Sequence, residues 1–236
     1  MSNRSLRRAD AMLDAVARAP RPLSLTEIAD AAGAPVSSAH DLLDELTALG
    51  HLRLVDRRYV LGWRAHTLTV IGGTTRPAGV DHARLGRLSR QCGAPLTLAV
   101  LVGDAVHYLD HAGPRAPGRI QAVADDHRPR PALRTAAGRL MLARAENAPR
   151  DRVLDALRAE DPTAVAAFDA EIATIRREGI ARSDGLADPD IAAIAVGTSD
   201  PSVALLLTAR RGPRGGRVPH LEAAARSLLT QLSHRP

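Results

Sequence analysis

The chain holds no lysine, one cysteine and only four aromatic residues (one Trp, two Tyr and one Phe) among 236. A single cysteine, Cys92, excludes a disulfide framework within the chain and fits a reducing compartment. So few rings leave Ala, Leu, Val and Ile to build the core, and a hydrophobic content of 45% is enough for one. No apolar run reaches the length of a membrane span. The opening segment, Met1 to Asp10, is polar and arginine-rich and lacks the apolar stretch of a secretion signal, so a cytoplasmic protein with no membrane partner is expected. Gly-x-Ser-x-Gly, a phosphate-cradling glycine loop and His-Glu-x-x-His are all missing, which leaves catalysis and a cofactor without support. His107 and His111 are four residues apart, but in a strand that spacing separates them widely, and no thiol or acid cluster completes a metal site.

What is present is arginine. All 32 basic residues are Arg, and the net charge of +6 suits a polyanionic partner. Its distribution is uneven. Residues 1–66 carry nine arginines against eight carboxylates, whereas the remaining 170 residues carry a net +5.

The patterning divides the chain. Residues 9–19 place Ala9, Met12, Leu13, Val16 and Ala17 on one helical face, and Pro20 and Pro22 end that helix. Ser24-Leu25-Thr26-Glu27 reads as a capping box opening a second helix that Gly33 closes. After Ala34-Pro35, a third helix from near Ser37 buries Ala39, Leu42, Leu43, Leu46 and Leu49, and Gly50 stops it. Leu52 to Leu61 reads as a hairpin around Asp56-Arg57-Arg58. Helix, helix, tight turn, helix and hairpin within about sixty residues is the order of a winged helix-turn-helix. Residues 63–77 read as a linker with a short helix from Trp63 to Ile71 and a break at Gly72-Gly73-Thr74-Thr75.

Beyond it, strands and helices mix. Asp81 to Gln91 predicts a helix, and Leu96–Val102 with Ala105–His111 predict a hairpin about Gly103-Asp104. Gly113 to Arg130 reads as a loop with one strand near Arg119–Val123. Helices are expected over Leu133–Ala145, Asp151–Ala159, Ala164–Gly179 and Leu221–Leu232, and strands over Ile191–Val196 and Val203–Thr208, with a loop at Gly212 to Gly216. The class is α+β, with domains at residues 1–62, 63–77 (linker) and 78–236.

These residues resemble the IclR family of bacterial transcriptional regulators. The N-terminal likeness runs through Arg18-Ala19-Pro20-Arg21-Pro22-Leu23-Ser24-Leu25-Thr26-Glu27-Ile28-Ala29, Gly33-Ala34-Pro35, Leu42-Leu43, Leu46, Gly50-His51-Leu52 and Tyr59-Val60-Leu61-Gly62. Further on it rests on Leu98-Ala99-Val100-Leu101, Gly103-Asp104, Tyr108-Leu109-Asp110, Leu133-Arg134-Thr135-Ala136-Ala137-Gly138-Arg139 and Arg177-Glu178-Gly179-Ile180. The resemblance implies a GAF-like effector-binding domain, a homodimer or dimer of dimers, and control by a small molecule, often an organic or aromatic acid. It maps Asp184, Ala193 and Ile194 to the pocket wall. The chain departs from the family pattern at Val36, after the turn proline, at Asp41, where Arg is frequent, and at Ala193, where a cysteine is usual.

The expected function is therefore a DNA-binding regulator, a repressor, that answers to a small carboxylate. The alternative is a sensor-like dimeric interaction protein that binds DNA weakly or not at all, suggested by Asp41, Asp44 and Glu45 on an arginine-free third helix. Candidate contacts to an operator in double-stranded DNA are Thr26, Ser37, Ser38, His40 and Asp41. A basic arm of Arg4, Arg7 and Arg8 and a basic wing of Arg53, Arg57 and Arg58 are expected to reach phosphates. Asp41 could accept from a cytosine amino group, and would be repelled by phosphate. Candidate effector contacts are the Thr135 hydroxyl and the backbone N–H groups of Ala136, Ala137 and Gly138 at a helix start, with Asp184, Ala193 and Ile194.

Overall fold

The computed structural model describes residues 4–113, 125–211 and 219–233. It divides into two compact units, Met1–Thr75 and Arg76–Pro236. The strand expected near Arg119–Val123 and the loop expected at Gly212 to Gly216 lie outside the described residues.

In the first unit α1 (Arg4–Arg18), α2 (Leu25–Ala31) and α3 (Val36–Ala48) precede a hairpin of β1 (Leu52–Val55) and β2 (Arg58–Leu61). Helix α1 begins earlier than its apolar periodicity, so Arg4, Arg7 and Arg8 are turns of a helix and not a loose arm. Its inner face is short: Met12 and Val16 are buried with Ile28, Ala29, Ala39, Leu43, Leu46, Leu52 and Tyr59. The capping box of α2 is complete, since the Ser24 hydroxyl accepts from the Glu27 amide and the Glu27 carboxylate accepts from the Ser24 amide at 2.8 Å. A bridge between Leu23 and Tyr59 ties the chain entering α2 to the wing. The two-residue turn Asp56-Arg57 has positive φ at both positions (49° and 60°), the backbone that matches the strand twist in a two-residue hairpin. After the hairpin, α4 (Arg64–Ile71) has no buried residue, and Trp63 at its start stands exposed with its ring 6.2 Å from that of His66.

The second unit is a curled antiparallel sheet between two helical layers. The sheet holds β3 (Leu96–Val102), β4 (Ala105–Ala112), β5 (Arg130–Pro131), β6 (Ile180–Asp184), β7 (Ile191–Gly197) and β8 (Val203–Arg210), in the order β5-β4-β3-β8-β7-β6. Two of these, β5 and β6, were not expected from the sequence. Strand alternation sorts the apolar residues: Leu205 and Leu207 pack on α5 (His82–Cys92) and α9 (Pro219–Ser233), whereas Leu206 and Ala204 point to the opposite face. That face is covered by α6 (Ala136–Arg144), α7 (Asn147–Glu160) and α8 (Pro162–Glu178), with Phe168 fully buried among them. Every residue of α6 from Ala136 to Ala143 is buried, so small side chains let this helix approach the sheet closely. Arg139 is tolerated there because its guanidinium meets Glu171 at 2.8 Å and the Ala167 carbonyl.

Candidate functional site

The winged unit exposes most of the residues expected to face DNA. Thr26, Ser37, His40 and Asp41 are exposed and Ser38 is half-buried. Ser37 and Ser38 lie in the first turn of α3, where backbone N–H groups have no intrahelical acceptor. The outer face of α3 is otherwise acidic, and His40 is already engaged, its Nδ1 3.3 Å from the Asp44 carboxylate. The wing arginines are not equivalent. Arg58 donates to Glu27 at 3.1 Å, and Arg21 donates to the other oxygen of the same carboxylate at 2.6 Å. The Arg21 hydrogen bond, followed by the Ser24 cap, holds the Glu27 carboxyl down at about 2. Arg53 and Arg57 are exposed and form no ion pair among the described residues. Arg57 sits at the wing tip in a left-handed backbone that an L side chain adopts at a cost of about 1–2 kcal/mol.

In the second unit a cavity of about 120 Å³ opens between the sheet and the start of α6. Residues Thr135, Ala136 and Ala193 line it, together with Thr97, Tyr108, Arg130, Ser183, Ala187, Asp188, Ile191, Leu206 and Thr208, so one carboxylate and one guanidinium share the wall. The pairings Ser183↔Ala193 and Ala193↔Thr208 set these residues side by side across β6, β7 and β8. The hydroxyls of Thr97, Ser183 and Thr208 have no hydrogen-bond partner among the described residues, although these side chains are 7%, 6% and 8% exposed. None of the three hydroxyl oxygens is fully buried, so each can take its partner from a water or a polar ligand in the cavity. Burial pushes the Tyr108 phenol up to about 12 against the opposing pull of the Arg130 charge. Arg130 gives one nitrogen to Asp126 at 3.0 Å and keeps its buried Nε without a partner.

The helix start is narrower than expected as a donor set. Thr135 is the N-cap of α6 and accepts from the Gly138 amide at 3.0 Å. Gly138 is glycine for a reason other than ligand access: a Cβ there would stand 2.2 Å from the Ala132 carbonyl oxygen. Ala137 and Gly138 are buried and do not line the cavity. Neither do Asp184 and Ile194. Ile194 packs on the α5–α9 side of the sheet. Asp184 accepts from Arg211 at 2.5 Å, beside a second, wider groove of about 600 Å³ along β6. Cys92 is half-buried with its thiol on the Ser89 and Ala94 carbonyls, and burial pushes its pKa up. No cluster of three potential metal ligands occurs among the described residues, nor a helix long and apolar enough to cross a membrane.

Residues 5–56 match the model of the IclR helix-turn-helix domain, and residues 78–208 match that of the bacterial transcriptional regulator IclR C-terminal domain. No curated protein matches the chain. Among solved structures it is similar to an IclR transcriptional regulator from Silicibacter sp. TM1040, at 26% identity over 98% of this chain and 97% of that one, with a TM-score of 0.64. An IclR transcriptional regulator from Alicyclobacillus acidocaldarius shares the fold at 23% identity, over 99% of this chain and 97% of that one, with a TM-score of 0.65. An IclR homolog from Microbacterium hydrocarbonoxydans, complexed with 4-hydroxybenzoate, does so at 23% identity over 97% of this chain and 99% of that one, TM-score 0.62.

Proposed function

Because the chain belongs to the IclR family of bacterial transcriptional regulators, we propose that it is a cytoplasmic repressor whose grip on an operator is set by a small organic or aromatic acid. Residues 1–62 bind double-stranded DNA, 63–77 link, and 78–236 hold the effector. The observation that carries this reading is the cavity lined by Thr135, Ala136 and Ala193, where a helix start and a wall of unpartnered hydroxyls face one enclosed space. The neighbour that binds 4-hydroxybenzoate supports an acid of similar size. An engineered cavity of about 150 Å³ accepts benzene, so about 120 Å³ suits one ring or a short chain. The effector acts through its differential affinity for the DNA-competent and DNA-incompetent states. Exposed Trp63, Leu68, Val70 and Ile71 on and beside α4 support assembly as a homodimer or a dimer of dimers.

A gel shift against the protein's own upstream region, with and without a panel of organic and aromatic acids, tests this reading. A retarded band released by one acid supports it; a retarded band indifferent to every acid removes the effector. The acidic face of α3 favours a second reading, a dimeric interaction protein with weak DNA binding. Under that reading the upstream fragment is not retarded, and Asp41→Arg restores retardation of any duplex at low salt.

A further inference from the structure

Helix α3 opens on an exposed apolar side chain in the turn that would meet DNA. We propose that Val36 reads a base: its isopropyl group packs against the C5-methyl group of a thymine in the major groove, so that the operator holds a T·A pair whose methyl the protein requires. This rests on the reading of residues 1–62 as a DNA-binding domain.

Three observations lead there. First, Val36 is the opening residue of α3, the second helix of the helix-turn-helix, whose N-terminal residues reach base edges in this motif. It is 47% exposed, and it belongs neither to the buried cluster of the winged unit nor to the partly buried residues packed on that cluster. Valine is also a middling helix former, so neither packing nor helix formation accounts for it. Second, α3 contains no Arg, Lys, Asn or Gln. These are the side chains that pair through two hydrogen bonds with guanine or adenine. Its outer side chains are instead two serine hydroxyls, which serve either role, and the acceptors Asp41, Asp44 and Glu45. A neutral His40 that donates from Nδ1 to Asp44 leaves its other nitrogen an acceptor as well. The helix is therefore poorly equipped for guanine, which shows two acceptors in the major groove. Third, thymine alone among the four bases presents an alkyl group there. Val36 is the one large apolar side chain that α3 exposes, and closing it on that methyl removes both from water.

The test begins with selection of tightly bound duplexes from a random pool by the full chain at low salt. The winning duplex is then titrated by fluorescence polarisation with each thymine replaced in turn by deoxyuridine, which removes the methyl and keeps the pairing. At one position the replacement is expected to weaken binding about fourfold, the effect of one buried methyl group. Cytosine and 5-methylcytosine, each opposite guanine, are compared at the same position, and the methylated base should bind more tightly by a similar factor. Val36→Ala reduces both differences and Val36→Ser erases them. Neither variant changes the slope of log affinity against log salt, because no charge is lost. A wild type indifferent to deoxyuridine at every position overturns the proposal, as does a sensitive thymine that stays equally sensitive in both variants. A protein that binds all duplexes alike overturns it too, while leaving the DNA-binding reading in place. If no duplex is bound at all, that reading falls and this inference with it.

Discussion

Glu27 serves three partners at once, closing the cap of α2 while accepting from Arg21 and Arg58. Its carboxyl is lowered from an ordinary value near 4.5 to about 2, so the stability it lends is fully present above pH 4.5 and is lost as the pH falls toward 2. Glu27→Gln is expected to flatten the acid limb of unfolding of the winged unit in that window, read by circular dichroism from pH 5 to about 2. The same carboxylate separates two neighbouring arginines in function. Arg58 spends part of its charge on Glu27, whereas Arg57 has no protein partner among the described residues. Arg57→Ala should weaken binding to every duplex and lower the slope of log affinity against log salt by about one. Arg58→Ala should lower that slope by less and also destabilise the fold. Equal slopes for the two variants would show that the Glu27 pair does not withhold Arg58 from DNA. Nothing in the sequence marks this difference, because Glu27 and Arg58 are brought together only by the packing of α2 under the wing.

At the scale of elements, legibility followed local order. The helices of both units carry 3.6-residue apolar periodicity and were readable, as was the hairpin flanking Asp56-Arg57. Strand β6 was not: Ile180-Ala181-Arg182-Ser183-Asp184 lies at a sheet edge with Arg182 in an ion-pair network with Glu178 and Glu222, so its apolar alternation is incomplete. Strand β5 is only two residues long and shows no pattern at all. The cavity suffers from the same gap. Thr135 and Ala136 were reached as a helix start able to meet an anion and Ala193 through the family likeness, and Thr97 and Thr208 could have been suspected as hydroxyls inside apolar strands. Arg130 and Tyr108 meet there only because the sheet pairs β4 with β5. Two glycine-related changes probe the elements themselves. Gly138→Ala forces a Cβ into the Ala132 backbone and should destabilise the second unit by about 3 kcal/mol, measured by denaturant unfolding. Arg57→Gly relieves a left-handed arginine and should stabilise the wing by about 1 kcal/mol while weakening DNA binding, a split that no purely structural role for Arg57 produces.

For the whole molecule, the division at Thr75 and Arg76 makes the effector a probe of one half. An acid present at a hundred times its dissociation constant adds about 2.7 kcal/mol to the unit that binds it. For a unit of this size that corresponds to a rise of roughly 5–10 °C in its thermal midpoint. Differential scanning calorimetry should show that rise in the transition of residues 76–236; movement of the transition of residues 1–75 alone would place the ligand in the wrong unit.

The scarcity of rings makes that experiment possible with light alone. Trp63 is the chain's sole indole and stands exposed beside His66 in the first unit, while Tyr108 is the sole phenol of the second and forms part of the cavity wall. Emission excited at the red edge of indole absorption therefore reports the winged half without contribution from the other. Near-ultraviolet ellipticity from tyrosine, once the Tyr59 background is removed by Tyr59→Phe, reports occupancy at Arg130's side of the sheet. The protein thus carries a separate optical channel for each of its two halves, with no dye attached.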